Sequence, residues 1–478
     1  MVDTRQYENP LVARYASKEM SYVFSPENKF RTWRKMWIAL AQAENELGLP
    51  ISEEQIDDLK SFADDINFDV ARQREKETRH DVMSHVYAYG VQAEKAKGII
   101  HLGATSAYVA DNTDLVQLKQ GMELVAQKLR GVIRAFSKFA DTWKHLPTLG
   151  FTHFQPAQLT TVGKRAVLWL QDFVMDHEDL TYRMERLRFR GVKGTTGTQA
   201  SFLSLFEGDQ KKVMDLDQKV TSAMGFNGRN YETGQTYPRK VDAQVLAVLS
   251  GIAQSASKFA TDLRLLANLK EMEEPFESKQ IGSSAMAYKR NPMRSERVCA
   301  LARYVMTSSM SPVITAATQW FERTLDDSAN KRITIPESFL AIDSILIILE
   351  NVVRGLVVYP KMIEKRIQME LPFMMTENLM MEAVKRGGDR QELHEKIRTY
   401  SVEAGRVIKL EGGENGLLDM IANDLEFPLN KEQLLSLAEP GNYTGRATEQ
   451  VSAYLMEVIE PLLQPFEGES FQETELRV

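Results

Sequence analysis

Between Ile281 and Pro292 the chain reads IGSSAMAYKRNP. A glycine, a pair of serines, a Lys-Arg pair and an Asn-Pro in so short a run exceed what a plain connection between helices requires. Serine is a poor acid, and it acts as a base only where its alkoxide is stabilised. Backbone N–H groups of a glycine-containing turn and the charge of Lys289 supply that condition. The small residues of the first half suit a mobile lid that closes over a bound anion. A flexible surface loop is the plainer alternative.

Other stretches carry weaker signals of the same kind. His153, in THFQPAQ, can hold or give a proton near neutral pH, which makes it a candidate general acid. A hydrogen-bonded loop histidine is equally compatible with the text. His153 stands just before Pro156, which is expected to open a helix. In RHDVMSH, His80 and His85 are five apart rather than at the i,i+4 spacing of a helical metal pair, so no metal site is expected. Arg79 and His80 beside Asp81 suit phosphate or carboxylate binding, or a solvated face. The loop KGTTGTQAS, with Gly194 and Gly197, does not match the phosphate-loop pattern. Its amides could cup an anion or simply turn the chain. In ERTLDDSANKR the Asp-Asp-Ser run suits a helix N-cap, and Arg323 and Arg332 flank it. They could reach an anionic ligand or form a surface salt-bridge cluster.

These stretches need a scaffold. The chain has 478 residues, 43% hydrophobic and 26% charged, which suggests a soluble protein of two to four domains. A net charge of -7 argues against a broad nucleic-acid footprint but not against a locally basic pocket. One cysteine, Cys299, excludes a disulfide framework and a cysteine zinc site. The polar start shows no secretory leader, and the greasiest run, 339–358, contains Asp343, Glu350 and Arg354, so a buried helix is expected rather than a membrane span. A cytosolic location is the expectation.

Apolar residues at Leu115, Leu118, Met122, Val125, Leu129, Val132, Phe136, Phe139 and Trp143 alternate spacings of three and four. That is a helix with one seam facing a partner, and DNTD at 111–114 supplies cap candidates. Similar series follow Pro156 and Pro238, and further helical patterns follow Pro292 and Pro336. Five long helices without a convincing strand pattern predict an elongated all-α bundle whose surplus apolar surface favours bundle-to-bundle assembly. Composition shifts near 357–366, where a C-terminal helical domain is expected to begin.

Taken together, the stretches are recognisable. GSSAMAYKRNP resembles the signature G-S-S-x-M-P-x-K-x-N-P of the fumarase/aspartase superfamily, and LGFTHFQPAQLTTVGKR and HLGATS resemble its two other regions. Within the superfamily the text is most similar to the adenylosuccinate lyase family, through TRHDVMSHV, HLGATSAYVADNTD, KGTTGTQASFL and WFERTLDDSANKR. The resemblance runs from NPLVARYAS to GRATEQV, nearly the whole chain. One departure is Ala287 in place of the usual signature proline, which adds roughly 0.4–1 kcal/mol of ordering cost to loop closure.

The resemblance implies an all-α subunit of three domains, 1–106, 107–358 and 359–478, whose central bundles form a twenty-helix core in a homotetramer. It implies active sites each shared by three chains, and β-elimination of fumarate with no metal or organic cofactor. The implied substrates are adenylosuccinate, giving AMP, and SAICAR, the succinylocarboxamide ribotide of purine synthesis, giving AICAR; no nucleic acid or membrane partner is implied. Ser283 would be the base and His153 the general acid, with Glu296 pairing with that histidine and raising its pKa. Lys289 and Asn291 would hold the carboxylate where charge develops, and His80 would orient the substrate. Arg14 and Tyr15 would contact phosphate; Arg79, His80 and Asp81 form the next cluster; Thr105 and Ser106 would contact the succinyl group. Gln235, Arg297, Arg323, Ser328 and Arg332 complete the contacts. The rival readings are an argininosuccinate lyase, a fumarase, or a non-enzymatic crystallin-like protein on the same fold.

Overall fold

The computed structural model describes residues 5–277 and 279–469, so the first four residues of the polar start lie outside it. Its N-terminal part carries helices α1 (Pro26–Glu46), α2 (Phe68–Thr78) and α3 (Asp81–Gln92). Ser25 caps α1 by accepting from the Asn28 amide, and Pro26 occupies the first turn, where its missing N–H costs nothing. The helix buries Trp33 and Trp37.

The bundle is built from α4 (Ser106–Thr142), α5 (Val162–Arg186), α6 (Lys240–Asn268), α7 (Met293–Ser308) and α8 (Asp327–Arg354). The helices close a ring, α4 on α5 and α8, α7 on α6 and α8, and α5 on α6, and α6 also packs on α8. The expected seam is real: from Leu115 to Phe139 every named apolar residue is buried, and Trp143 is half-buried. At mid-bundle Phe136 of α4 stacks on Phe173 of α5 at 5.5 Å and meets Phe259 of α6 edge-on at 4.9 Å. Gly121 allows α4 to approach α8, since a Cβ there would lie 2.8 Å from the Phe339 ring.

Three expectations need correction. Helix α4 starts at Ser106, with Thr105 at its N-cap, so DNTD lies inside the helix. Its polar side chains serve long-range bonds instead: Asn112 Oδ1 accepts from the amides of Arg190 and Gly191, both at 3.1 Å, and Asp111 binds Arg239. Pro156 does not open a helix. It belongs to an antiparallel hairpin, β1 (Pro147–Thr152) and β2 (Gln155–Thr161), and α5 begins only after it. Strands are therefore present, as are the two-residue β3 (Met272–Glu273) and β4 (Val357–Val358), which pair antiparallel. Pro336 is inside α8, removing the usual donor to the Arg332 carbonyl; buried Ile335, Ser338 and Phe339 hold the helix through it. After β4, a helix at Pro360–Met374 packs against β1 and opens the C-terminal helical region.

Candidate active site

The serine stretch is a loop closed at its base. It leaves β3 and returns at α7, where the buried Glu274 carboxylate accepts from the Arg294 amide at 3.0 Å, the Ser295 amide at 2.9 Å and the Ser295 hydroxyl at 2.8 Å. Within the loop Asn291 Nδ2 donates to the Gly282 carbonyl at 2.6 Å. Gly282 is buried, and a Cβ there would lie 2.2 Å from the Lys289 carbonyl oxygen, so only glycine permits this fold-back. The result sets Ser283 Oγ as acceptor for two backbone amides, Met286 at 3.1 Å and Ala285 at 3.4 Å. Residues 284–290, Lys289 included, are exposed; Tyr288 is 85% accessible.

Glu296 lies in the first turn of α7, exposed. One residue on, the Arg297 guanidinium stands 5.7 Å from the Tyr15 ring centre, which brings the predicted Arg14–Tyr15 pair, on the turn Leu11–Tyr15, beside the start of α7.

A second cluster forms around His80. The joint between α2 and α3 places Arg79 in the left-handed region, φ 56°, and His80 at the N-cap of α3. Its Nδ1 accepts from the Met83 amide at 3.3 Å, which leaves Nε2 facing Ser106 Oγ at 3.5 Å. Arg332 reaches Asp81 at 3.8 Å. His85, the other histidine of the motif, is a core residue: it stacks on Phe30 at 3.7 Å, and burial pulls its pKa down to about 4.

Next to this cluster is a recess of about 250 Å³. Asp81, Arg323, Ser328 and Arg332 line it, as do Lys29 and Lys331, which the sequence reading did not single out. Lys331 pairs with Asp114 at 2.5 Å. Arg323 donates to Asp327 at 3.0 Å, and Asp327 also takes the buried Arg239, which binds Asp111 at 3.0 Å and 3.2 Å. Burial alone would push the Asp111 carboxyl up, but Arg239, Lys331 and Arg190 hold it below its ordinary value. Asp242 accepts from the Tyr237 hydroxyl at 2.7 Å, yet burial raises its pKa to about 6. Gln235 is tied in through its backbone: its amide donates to the Glu322 carbonyl at 3.0 Å, and its carbonyl accepts from Arg190 at 2.8 Å.

This network makes a stability prediction. Arg239→Met keeps the side-chain stem but strands two buried carboxylates. Loss of one partner from such a network costs about 3–5 kcal/mol. Denaturant titration at neutral pH should show that loss; a change under about 1 kcal/mol would mean Arg239 does not hold the network together.

Some predicted residues stay apart. His153 occupies the hairpin tip with Phe154, both in the left-handed region, φ 52° and 57°, as a two-residue loop of primed type requires. Among the described residues, neither the His153 ring nor the Glu296 carboxylate has a hydrogen-bond or ion-pair partner, and nothing links either to the serine loop. Thr105 is half-buried at the start of α4 without a side-chain cap bond. In the KGTTGTQAS loop a Cβ at Gly197 would lie 1.8 Å from the Thr233 carbonyl oxygen, so this glycine serves a close backbone approach. The overlooked Lys29 did leave a sequence signal: it stands four residues before Trp33 and eight before Trp37, on the buried stripe of α1.

Comparison with known proteins agrees with this architecture. Residues 15–307 match a family described as lyase, and residues 372–454 match one described as adenylosuccinate lyase C-terminus. The fold is shared with a fumarate lyase from Mesorhizobium sp. BNC1, TM-score 0.78 at 24% identity, over 94% of this chain and 99% of that one. Fold, serine loop and family match together define an enzyme, a lyase of the fumarase/aspartase superfamily. Adenylosuccinate lyases from Schizosaccharomyces pombe and Saccharomyces cerevisiae are each 52% identical to it over 98% of both chains. That of Schistosoma mansoni is 47% identical, again over 98% of both. The chain belongs to the adenylosuccinate lyase family, and the argininosuccinate lyase, fumarase and crystallin-like alternatives are not favoured.

Proposed function

We propose that the chain eliminates fumarate from adenylosuccinate, giving AMP, and from SAICAR, giving AICAR, in purine nucleotide synthesis. The observation that carries the mechanism is the pair of amides on Ser283 Oγ. Two N–H donors stabilise an alkoxide before substrate arrives, so that oxygen is the one equipped to remove a proton. The base takes the proton from the carbon next to a succinyl carboxylate, and the resulting charge spreads into that carboxylate, held by Lys289 and Asn291. The carbon–nitrogen bond then breaks, its electron pair stays on nitrogen, and His153 supplies the proton there. Glu296 is the carboxylate proposed to pair with that histidine in the assembled site. His80 orients the substrate through Nε2, and Arg79, Thr105, Ser106 and Gln235 hold its polar groups. Arg14, Arg297, Arg323 and Arg332 neutralise an anionic ligand on an acidic protein, and the Tyr15 and Ser328 hydroxyls hydrogen-bond to it. No step requires a metal.

The three-domain division, a homotetramer with sites shared by three subunits, and a cytosolic location belong to the same proposal. The exposed faces support assembly: Leu168, Met175 and Tyr182 recur every seven residues along α5, each more than half accessible. No helix among the described residues is long and apolar enough to cross a membrane. Purified protein mixed with adenylosuccinate, with and without a chelator, tests the reading through the ultraviolet change on fumarate release. Equal turnover in both samples is expected. Silence in both would reject the activity, and loss in the chelated sample alone, restored by zinc or magnesium, would reject the metal-free mechanism.

A further inference from the structure

The recess beside His80 holds five cations, and four of them are spoken for. Arg239 binds Asp111 and Asp327, Arg323 binds Asp327, Lys331 binds Asp114, and Arg332 reaches Asp81. Lys29 lines the same recess and, among the described residues, has no carboxylate within ion-pairing distance. Its ammonium stands 5.2 Å from the Phe30 ring centre and 5.0 Å from that of Trp33. Those rings are themselves fixed, Phe30 stacked on His85 and edge-on to Trp33 at 4.9 Å. The lysine is therefore pre-placed on an aromatic floor rather than trailing in solvent. Burial lowers its pKa, as do Arg332 and Lys331, against the opposing pull of Asp114 and Asp81. A cation in that position is stabilised by an arriving anion. Arg332, 64% accessible and held only at 3.8 Å, is free to turn to the same anion.

We propose that Lys29 is a substrate-binding residue that, with Arg332 and the Ser328 hydroxyl, receives the phosphate of the nucleotide in this recess. The inference rests on the nucleotide substrate proposed above. A dianionic phosphate monoester suits an unpaired ammonium beside an exposed guanidinium that Asp81 holds only at 3.8 Å better than a single carboxylate does, and a lysine engages it as a point charge.

The test compares Lys29→Met and Lys29→Arg with the unaltered protein. Substrates are adenylosuccinate and the same compound without its phosphate; AMP and adenosine serve as binding probes by calorimetry. Lys29→Met should raise KM for adenylosuccinate and Kd for AMP by roughly 10- to 100-fold, the size of one charged hydrogen bond. It should leave kcat near its original value and the dephosphorylated compounds unaffected, and Lys29→Arg should recover most of the loss. Equal losses with and without phosphate, or no loss at all, would overturn the assignment. Should Lys29→Met fail to fold, acylation of Lys29 in the unaltered protein, followed by mass spectrometry, decides the matter. AMP should slow that reaction at Lys29 and adenosine should not; equal rates would count against the proposal. Protein that binds AMP through Lys29 but does not turn over adenylosuccinate would sink the proposed activity and leave this assignment standing.

Discussion

Ser283→Ala should cut kcat by about 10²–10⁴-fold while substrate affinity stays within a few-fold, because the change removes the proton acceptor and little binding surface. The neighbouring Ser284→Ala is the control, expected to stay within a few-fold in both constants. The structure separates the two serines by environment. Ser283 is half-buried behind Gly282 and its Oγ takes two backbone amides, whereas Ser284 is exposed and has no such donors among the described residues. An alkoxide at Ser283 would be stabilised by dipoles already in place. Rapid-quench measurement of a single turnover, with affinity taken from a non-reacting analogue, distinguishes loss of chemistry from loss of binding. A large kcat loss in Ser284→Ala with a normal Ser283→Ala would exchange their roles. Weakened binding in Ser283→Ala with unchanged turnover would remove the serine from the chemistry altogether.

What the sequence disclosed, and what it hid, follows from the range of the interactions concerned. The seam from Leu115 to Trp143 was legible because large apolar residues at alternating spacings have one economical solution, burial along one helix face. The hairpin was not, since its strands are short and Pro156 imitates a helix start; its partner in register is Phe151, and pairing across a turn leaves no period to read. Asp111 and Asn112 imitate caps for a similar reason. Their true partners, Arg239 and the backbone at 190–191, are about a hundred residues away in sequence, and local pattern carries no record of them. The serine loop stood out by residue type, but the amide pair on Ser283 emerges only from the fold-back that Gly282 permits. Lys29 was hidden because a lysine usually marks a solvated face; here its meaning depends on which carboxylates fail to reach it.

Mixing His153→Ala with Ser283→Ala should restore about a quarter of the original activity, although each alone is nearly inactive. A single chain places His153 on an exposed hairpin tip with no partner and Ser283 in a loop at the base of α7, and no bond joins them among the described residues. If one site draws its histidine and its serine from different subunits, it works only when the histidine comes from a Ser283→Ala chain and the serine from a His153→Ala chain. Random reassembly meets each condition half the time, so about one site in four is intact in a closed symmetric oligomer. The two variants are dissociated, combined at varied ratios and reassembled, with unmixed samples treated identically and hybrid formation followed by mass. Activity should rise to a maximum near equal mixing. Were both residues supplied by one chain, every site would keep one defect at every ratio. A flat response in samples shown to contain hybrids would then confine the site to a single subunit. On the proposed assembly, the apolar stripe on α5, with exposed residues recurring every seven positions, would be the surface through which such hybrids form. Replacing Leu168 and Met175 by charged residues should accordingly abolish complementation together with assembly, since a desolvated charge in an interface costs several kcal/mol.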